Sequence, residues 1–94
     1  MKVHGLQLLE DFKHAHADAR GALAAWHAEV AASEWTDSHS IKHRYATASF
    51  LAGNRVVFNI KGNRYRLVIQ VVYRKGVVLI EWIGTHAEYN KKNF

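Results

Sequence analysis

The chain has 94 residues, of which 49% are hydrophobic and 22% charged; this composition fits one globular domain over residues 1–94 and excludes a disordered chain. It contains no cysteine, which excludes a disulfide scaffold and a thiolate metal site. The formal net charge of +5 is uneven, because residues 1–38 carry three Lys or Arg against six Asp or Glu, and the remaining residues carry ten against two. A polyanionic partner for the basic part and a charge that only keeps exposed strands soluble both remain open.

The first residues indicate neither export nor insertion into a membrane. MKVHGLQLLEDFKHAH carries charges where a signal peptide would be apolar. No stretch approaches the roughly 18 apolar residues of a membrane helix, since RLVIQVV and VVLIEWI are short and interrupted by polar residues. We therefore expect a cytoplasmic protein with no membrane partner.

Apolar residues recur at intervals of three and four along two N-terminal stretches. This spacing predicts helices over about residues 5–16 and 19–34. The recurring residues are Leu8, Leu9, Phe12, Leu23, Trp26 and Val30. Asp18 is placed to cap the second helix with its carboxylate.

Two shorter elements are expected beside these helices. MKV predicts a short strand at the start of the chain, and SHSIKHRY, with Thr36 or Asp37 as its cap, predicts a brief third helix. His39 and His43 lie four residues apart in this segment and could bind a metal. No carboxylate or third ligand is evident nearby, so metal binding there is the less favoured interpretation.

After Tyr45 the apolar residues alternate with polar ones, which indicates strands. ASFLA, RVVFNIK, RYRLVIQVVYR and GVVLIEWIG predict four of them. Gly53-Asn54, Gly62-Asn63 and Lys75-Gly76 separate these stretches and suit tight turns, because Gly and Asn tolerate positive φ. The expected fold is α+β, with two N-terminal helices packed on a mainly antiparallel four- to five-stranded sheet.

Two-residue loops at Gly62-Asn63 and Lys75-Gly76 predict the register of the last three strands. Asn59 would pair with Arg66, Arg66 with Thr85, and Val68 with Ile83. The face toward the helices would carry Phe58, Ile60, Tyr65, Leu67, Ile69, Val71, Val78, Ile80 and Trp82. The opposite face would carry Arg55, Asn59, Lys61, Arg64, Arg66, Gln70 and Glu81, with Val57, Val68 and Ile83 between them. Cations would then crowd the end of the sheet where His86 leaves the last strand.

Lys and Arg side chains beside a His and a Tyr suit phosphodiester chemistry. Arg binds phosphate oxygens in a bidentate way and offsets charge in the transition state. His exchanges protons near neutral pH. RNA supplies its own nucleophile, the 2′-OH, so cleavage needs no metal and we expect no cofactor. The alternative is that His86 is a surface turn residue and that Tyr89 only packs its ring against the sheet edge.

Two motifs in the basic half carry a family resemblance. F-N-x-x-G-N-x-x-R from Phe58 to Arg66 and G-T-H-x-E-Y from Gly84 to Tyr89 resemble the HigB-type toxins of bacterial type II toxin–antitoxin systems. The helical half, with W-x-x-E-V from Trp26 to Val30 and with Trp35, is similar to that family too. The resemblance implies a RelE/ParE-like fold and an mRNA endoribonuclease that usually acts on messages in translating ribosomes. It also implies a HigA-type helix-turn-helix antitoxin as partner, and no metal.

The resemblance and the predicted register together give a candidate site. His86 would act as general acid or base, Tyr89 would assist proton transfer or stack on a base, and Arg66 would hold the scissile phosphate. The residues expected to bind RNA or its phosphates are Asn59, Lys61, Arg64, Arg74, Lys75, Lys91 and Lys92. Members of the family commonly carry Asp where this chain has Asn90, and they vary at Lys61.

Two rival functions remain open from the sequence. One is a non-catalytic basic module of the same fold that binds nucleic acid or targets gyrase. The other is a metal-dependent hydrolase that uses His39 and His43.

Overall fold

The computed structural model describes all 94 residues and has the expected α+β architecture. Helices precede most of the sheet along the chain, and a short helix follows the last strand. The strands are β1 (Lys2–His4), β2 (Ser49–Leu51), β3 (Arg55–Ile60), β4 (Tyr65–Val72) and β5 (Val77–Thr85). The helices are α1 (Leu6–Ala15), α2 (Arg20–Ala31), α3 (Ser38–Arg44) and α4 (His86–Asn90), with 3₁₀ turns at Ala17–Ala19 and Tyr73–Lys75. No helix is long and apolar enough to cross a membrane.

The five strands form one sheet in the order β1-β5-β4-β3-β2. Strands β2 to β5 are antiparallel neighbours, which confirms the predicted meander, whereas β1 pairs with β5 in parallel. The chain leaves β1 through Gly5, whose φ of 89° is left-handed. A Cβ at this position would lie 2.9 Å from the carbonyl oxygen of Ile80, so the crossing of β5 requires glycine.

The main core lies between the helices and one face of the sheet. The apolar stripes of α1, α2 and α3 bury Leu9, Leu23, Trp26, Val30 and Ile41 against the strands. Seventeen buried residues form this cluster: Leu9, Ala19, Leu23, Trp26, Val30, Trp35, Ile41, Ala48, Val56, Phe58, Ile60, Tyr65, Leu67, Ile69, Val71, Val78 and Ile80. Eight of the nine residues predicted for the inner face of the sheet are therefore in the core.

The helix ends refine two sequence predictions. Asp37 is the cap of α3, because its carboxylate accepts a hydrogen bond from the Ser40 N–H at 3.1 Å. Asp18 is wrong as a cap of the second helix, since it lies within the 3₁₀ turn and makes no capping hydrogen bond. Its carboxylate instead accepts hydrogen bonds from the side chains of Tyr65 and Arg64, which ties the turn before α2 to β4.

The β3–β4 hairpin has the predicted register. Asn59 pairs with Arg66, and Val57 pairs with Val68. Gly62 at the turn has a φ of 65°, as a tight connection of these strands requires. Sequence and structure therefore agree that Asn59 and Arg66 share one face.

The β4–β5 register differs from the prediction in two ways. Its loop is a four-residue turn over residues 73–76, so Val72 pairs with Val77. A β-bulge then leaves Glu81 without a partner, because Val68 faces Trp82 while Ile69 faces Ile80. The extra residue exchanges the two faces of β5 beyond this point.

Three sequence predictions are wrong: the pairing of Arg66, because of the longer loop and the bulge together, and the faces of Trp82 and Ile83, because of the bulge. Arg66 lies opposite Gly84, not Thr85. Trp82 lies outside the core cluster, opposite Val68, and not in the core as predicted. Ile83 pairs with Leu67 and packs against the core, and does not lie on the polar face as predicted.

Candidate active site

Helix α4 begins directly at the end of β5 and is held by a capping box. The Thr85 hydroxyl accepts a hydrogen bond from the Glu88 N–H at 3.1 Å, and the Glu88 carboxylate accepts one from the Thr85 N–H at 2.8 Å. The hydrogen bond from the Thr85 backbone, followed by the Thr85 side chain, lowers the pKa of the Glu88 carboxyl. Thr85 and Glu88 of the G-T-H-x-E-Y motif therefore build the helix that presents His86 and Tyr89.

Gly84 allows the last part of β5 to pack closely. A Cβ at this position would lie 2.5 Å from Cζ2 of Trp82 and 3.0 Å from a carboxylate oxygen of Glu88. Only a residue without a side chain leaves room for the Trp82 indole and for the capping carboxylate together. Because Gly84 is also the strand partner of Arg66, this packing fixes where α4 lies relative to Arg66.

The structure brings the three predicted catalytic side chains together. An Arg66 guanidinium nitrogen lies 2.6 Å from Nε2 of His86. The Arg66 Cζ atom lies 4.9 Å from the centre of the Tyr89 ring, over its face. All three residues are half-buried, and Nε of Arg66 is buried without a hydrogen-bond partner. The guanidinium thus bridges the imidazole and the phenol ring.

The contact between Arg66 and His86 determines the tautomer of the imidazole. A guanidinium group only donates hydrogen bonds, so Nε2 of His86 must accept, and a neutral imidazole then carries its proton on Nδ1. Nδ2 of the Asn90 amide lies 3.4 Å from Nδ1 of His86. Two donors cannot pair, and the nitrogen and oxygen of an amide can exchange places by a half-turn of the group. With the amide turned, the oxygen of Asn90 accepts the hydrogen bond from Nδ1.

An aromatic cluster lies beside the site on the outer face of the sheet. The Tyr89 ring is stacked on Phe94 with centroids 5.5 Å apart, and Trp82 contacts both rings at 6.0 and 5.7 Å. The Lys92 ammonium lies 5.9 Å from the Trp82 ring. Sequence reasoning missed this cluster because it placed Trp82 on the inner face. No local signal in the sequence reveals the cluster, because it depends on the bulge that turns Trp82 to the outer face.

The predicted phosphate-binding residues of the β3–β4 hairpin have different environments. Asn59 is half-buried opposite Arg66, and Lys61 is exposed in the turn. Arg64 is exposed but forms an ion pair with Asp18 at 2.7 Å. Tyr65 and then Arg64 lower the pKa of Asp18, and Asp18 raises the pKa of Arg64. Arg64 therefore already has an anionic partner on the helical side.

The other predicted RNA-binding cations fall into two groups, one far from the site and one beside it. Arg74 and Lys75 occupy the 3₁₀ turn at the opposite end of the sheet. They are separated from Arg66 by most of the eight residues of β4, about 20 Å at the rise of a strand. Lys91 and Lys92 follow α4, on the same side of the sheet as the site.

The histidines weighed as metal ligands lie apart from this site. His39 and His43 are exposed on α3. No group of three or more His, Cys, Asp or Glu side chains in the structure could hold a metal ion.

Comparison of the sequence with known protein families identifies one match. No curated protein matches the chain in sequence. Residues 19–92 match the family described as HigB_toxin, RelE-like toxic component of a toxin-antitoxin system. The matched region runs from the turn before α2 to the residues after α4, so it includes Arg66, His86 and Tyr89. The chain therefore belongs to the HigB toxin family and is the toxin of a toxin–antitoxin system, with an antitoxin as its partner.

Proposed function

We propose that this toxin is an endoribonuclease that cleaves mRNA by attack of the 2′-OH on the adjacent phosphate. The observation that carries the proposal is the contact of Arg66 with Nε2 of His86, beside the Tyr89 ring. A cation that can bind phosphate and a base that can take a proton are therefore close enough to act on the same phosphodiester group.

His86 is the general base in this proposal. With its proton on Nδ1, the imidazole has a free lone pair on Nε2 once Arg66 turns from the ring to the phosphate. Nε2 takes the proton of the 2′-OH while the 2′ oxygen forms its bond to phosphorus. Breakage of the bond between phosphorus and the 5′ oxygen leaves a 2′,3′-cyclic phosphate and a 5′-hydroxyl end.

Arg66 supplies the positive charge that this step requires. The attack adds negative charge to the non-bridging oxygens of the phosphate, and a guanidinium offsets it through two parallel hydrogen bonds. Arg66 extends from β4 between Asn59 on β3 and Gly84 on β5, so its backbone is fixed on both sides. This support fixes the point from which the guanidinium turns toward the phosphate when RNA binds.

Tyr89 has two compatible tasks at the leaving end. Its phenol can give a proton to the departing 5′ oxygen, and its ring can stack on a base. Contacts with the Phe94 ring and the Arg66 guanidinium orient the Tyr89 ring before RNA binds, and the face that Arg66 leaves can then receive a base. Asn59, Lys61, Lys91 and Lys92 add attraction to the RNA backbone at this end of the sheet, whereas Arg64, which Asp18 neutralises, contributes less.

The same proposal extends to partners and location. The substrate is mRNA on translating ribosomes, the antitoxin is a HigA-type helix-turn-helix protein, and the toxin acts in the cytoplasm without a cofactor. Support comes from the family membership and from the basic end of the sheet. A toxin that binds nucleic acid or gyrase without cutting RNA is the outcome that the following experiment separates from it.

Cleavage mapping tests the proposal. The toxin is added to a translation reaction, and the 5′ ends of the mRNA are mapped by primer extension. Wild type is expected to give discrete ends, and His86→Ala and Arg66→Ala should each slow cleavage by roughly 100-fold or more. The double variant His39→Ala/His43→Ala is the matched control and should cut normally, because both residues lie on α3.

Two results would contradict the proposal. Cleavage that survives both His86→Ala and Arg66→Ala would remove the assigned residues from the reaction. Toxicity with DNA-damage signalling and no new RNA ends would instead favour an action on gyrase.

A further inference from the structure

A groove lies on the helical side of the sheet, next to the candidate site, with which it shares Asn59 and Lys61. It has a volume of about 210 Å³ and runs between α2, the end of α3 and the last residues of β3. Ala22, Ala25, Trp26, Phe58 and Ile60 give it apolar walls, and its polar lining residues are Glu29, Arg44, Tyr45, Asn59 and Lys61. A cavity of this size accepts one bulky apolar side chain.

One wall of the groove is a strand edge without a partner strand. Strand β2 pairs with β3 only from Arg55 to Val57, and β3 continues to Ile60. The hydrogen bond from the Val71 N–H to the Asn54 carbonyl fixes the alternation along β3. By that alternation, the N–H and C=O of Asn59 face away from β4, toward the side where β2 has ended. This edge can pair with an extended segment of another chain.

A second wall contains an unused hydrogen-bond donor. Trp26 is 3% exposed, and its indole N–H is buried with no hydrogen-bond partner. Buried donors are nearly always paired, so an unpaired one requires an explanation. The Trp26 ring lines the groove, so a small rotation of the indole would let the carbonyl oxygen of a seated segment supply the missing acceptor.

The rim of the groove favours an acidic occupant. Glu29 is already paired with Arg44 at the groove wall, whereas the exposed ammonium of Lys61 at the rim forms no ion pair. The sheet side of the groove belongs to the part of the chain that has ten Lys or Arg against two Asp or Glu, whereas α2 belongs to the acidic part. A protein segment with acidic residues beside one bulky apolar residue matches these features.

We propose that this groove is the docking site for an extended segment of the antitoxin. The segment pairs with the free edge of β3 at Asn59 and inserts one bulky apolar side chain between Ala25 and Phe58. It places a carbonyl oxygen on the Trp26 N–H and an acidic side chain near Lys61. Because Asn59 is the strand partner of Arg66, the docked segment lies one strand away from the candidate active site.

The main test fills the groove and measures antitoxin binding directly. Ala25→Trp adds a large side chain at an exposed position of α2 that lines the groove. Ala28→Trp adds the same side chain to the same helix at an exposed position that does not line it. The dissociation constant for the purified antitoxin is measured by calorimetry, with thermal melting of each toxin variant as the check on folding.

Blockage of the groove is expected to raise the dissociation constant by roughly tenfold or more for Ala25→Trp, since a central anchor residue loses its pocket. Ala28→Trp should bind as wild type does. Equal affinity of Ala25→Trp and wild type would overturn the proposal. Loss of binding to single-stranded RNA in Ala25→Trp, with antitoxin binding intact, would overturn it in favour of an RNA base as the occupant.

Trp26→Phe provides a second variant that keeps an aromatic ring and removes the N–H. A merely structural Trp26 would leave antitoxin affinity unchanged, whereas the proposal expects affinity to fall several-fold while the melting temperature is kept. None of these measurements depends on RNA cleavage. The docking site and the proposed nuclease activity can therefore fail separately.

Discussion

The two ends of the sheet are both basic, but their cations are held differently. At one end, Arg66 is half-buried, lies between two strands and contacts both His86 and Tyr89. At the other end, Arg74 and Lys75 are exposed in a 3₁₀ turn. An exposed cation attracts a polyanion over a distance, but only a fixed one can be aimed at a single phosphate.

The comparison teaches that net charge and chemistry are separate properties of this surface. The charge of the C-terminal half is spread over both ends, and it is the reason to expect RNA binding from Arg74 and Lys75 as well as from the site. Three features are found only at the end that carries Arg66: strands on both sides of this residue, the capping box of α4 and the close packing at Gly84. Substitutions matched between the two ends can test this distinction.

The largest difference is expected from the cations themselves. Arg66→Lys keeps the charge but removes the planar fork that reaches His86, so cleavage at saturating RNA should slow roughly 100-fold. Arg74→Ala/Lys75→Ala should leave that rate unchanged. The double variant should lower only the affinity for RNA. The slope of log K against log salt concentration should become shallower by about 0.7 for each phosphate that the toxin no longer neutralises.

Single-turnover cleavage and a salt titration of RNA binding measure the two quantities separately. A far-end double variant with a strongly reduced cleavage rate would show that RNA needs both ends for the reaction. An Arg66→Lys toxin with the wild-type rate would show that Arg66 contributes charge alone.

Two glycines give the second matched pair. Gly84→Ala forces a Cβ to within 2.5 Å of the Trp82 ring, so the free energy of unfolding should fall by about 1–3 kcal/mol. Helix α4 should also shift, with loss of cleavage activity. At the other end, Gly76→Ala meets no atom within 4 Å but has a φ of 64°. Its cost should be about 1–2 kcal/mol, from the left-handed backbone alone.

Urea unfolding and cleavage of the same protein samples separate the two variants. Both should be less stable, but only Gly84→Ala should lose activity under conditions in which it is fully folded. Equal activity of the two folded variants would mean that α4 is positioned independently of Gly84.

The sequence was sufficient for the fold and for one hairpin because the relevant signals are local. Helical and alternating spacing identified α1, α2 and the last four strands, and Gly62-Asn63 set the β3–β4 register. The β4–β5 pairing failed because two features are invisible to alternation: a loop that is two residues longer than predicted and a bulge at Glu81. The bulge depends on how Trp82 and Ile83 pack, which is a tertiary property.

The candidate site was predictable in its members but not in its geometry. The motifs pointed to Arg66, His86 and Tyr89, and the correct β3–β4 register placed Arg66 on the outer face. The pairing of Arg64 with Asp18 could not be foreseen, because Asp18 suited a helix cap equally well from sequence. The aromatic cluster around Tyr89 depended on the bulge.

The smallest expected effect concerns Asn90, whose side-chain amide lies beside Nδ1 of His86 at the site end of the sheet. Asn90→Asp places a negative charge beside Nδ1 of His86, which stabilises the imidazolium and opposes the contact with Arg66. A base that holds its proton more strongly is already protonated, and inactive, at a higher pH when the pH is lowered. The acidic limb of the pH–rate profile should therefore shift to higher pH, while the maximal rate changes only several-fold. Nitrogen-15 NMR of the imidazole provides the independent measurement: the neutral ring of wild type should carry its proton on Nδ1 and leave Nε2 unprotonated. Asn90→Ala should keep the wild-type pH limb and show a weaker tautomer preference. If the wild-type spectrum instead places the proton on Nε2, Arg66 cannot be its hydrogen-bond donor, and the assignment of His86 as the base poised by Arg66 fails.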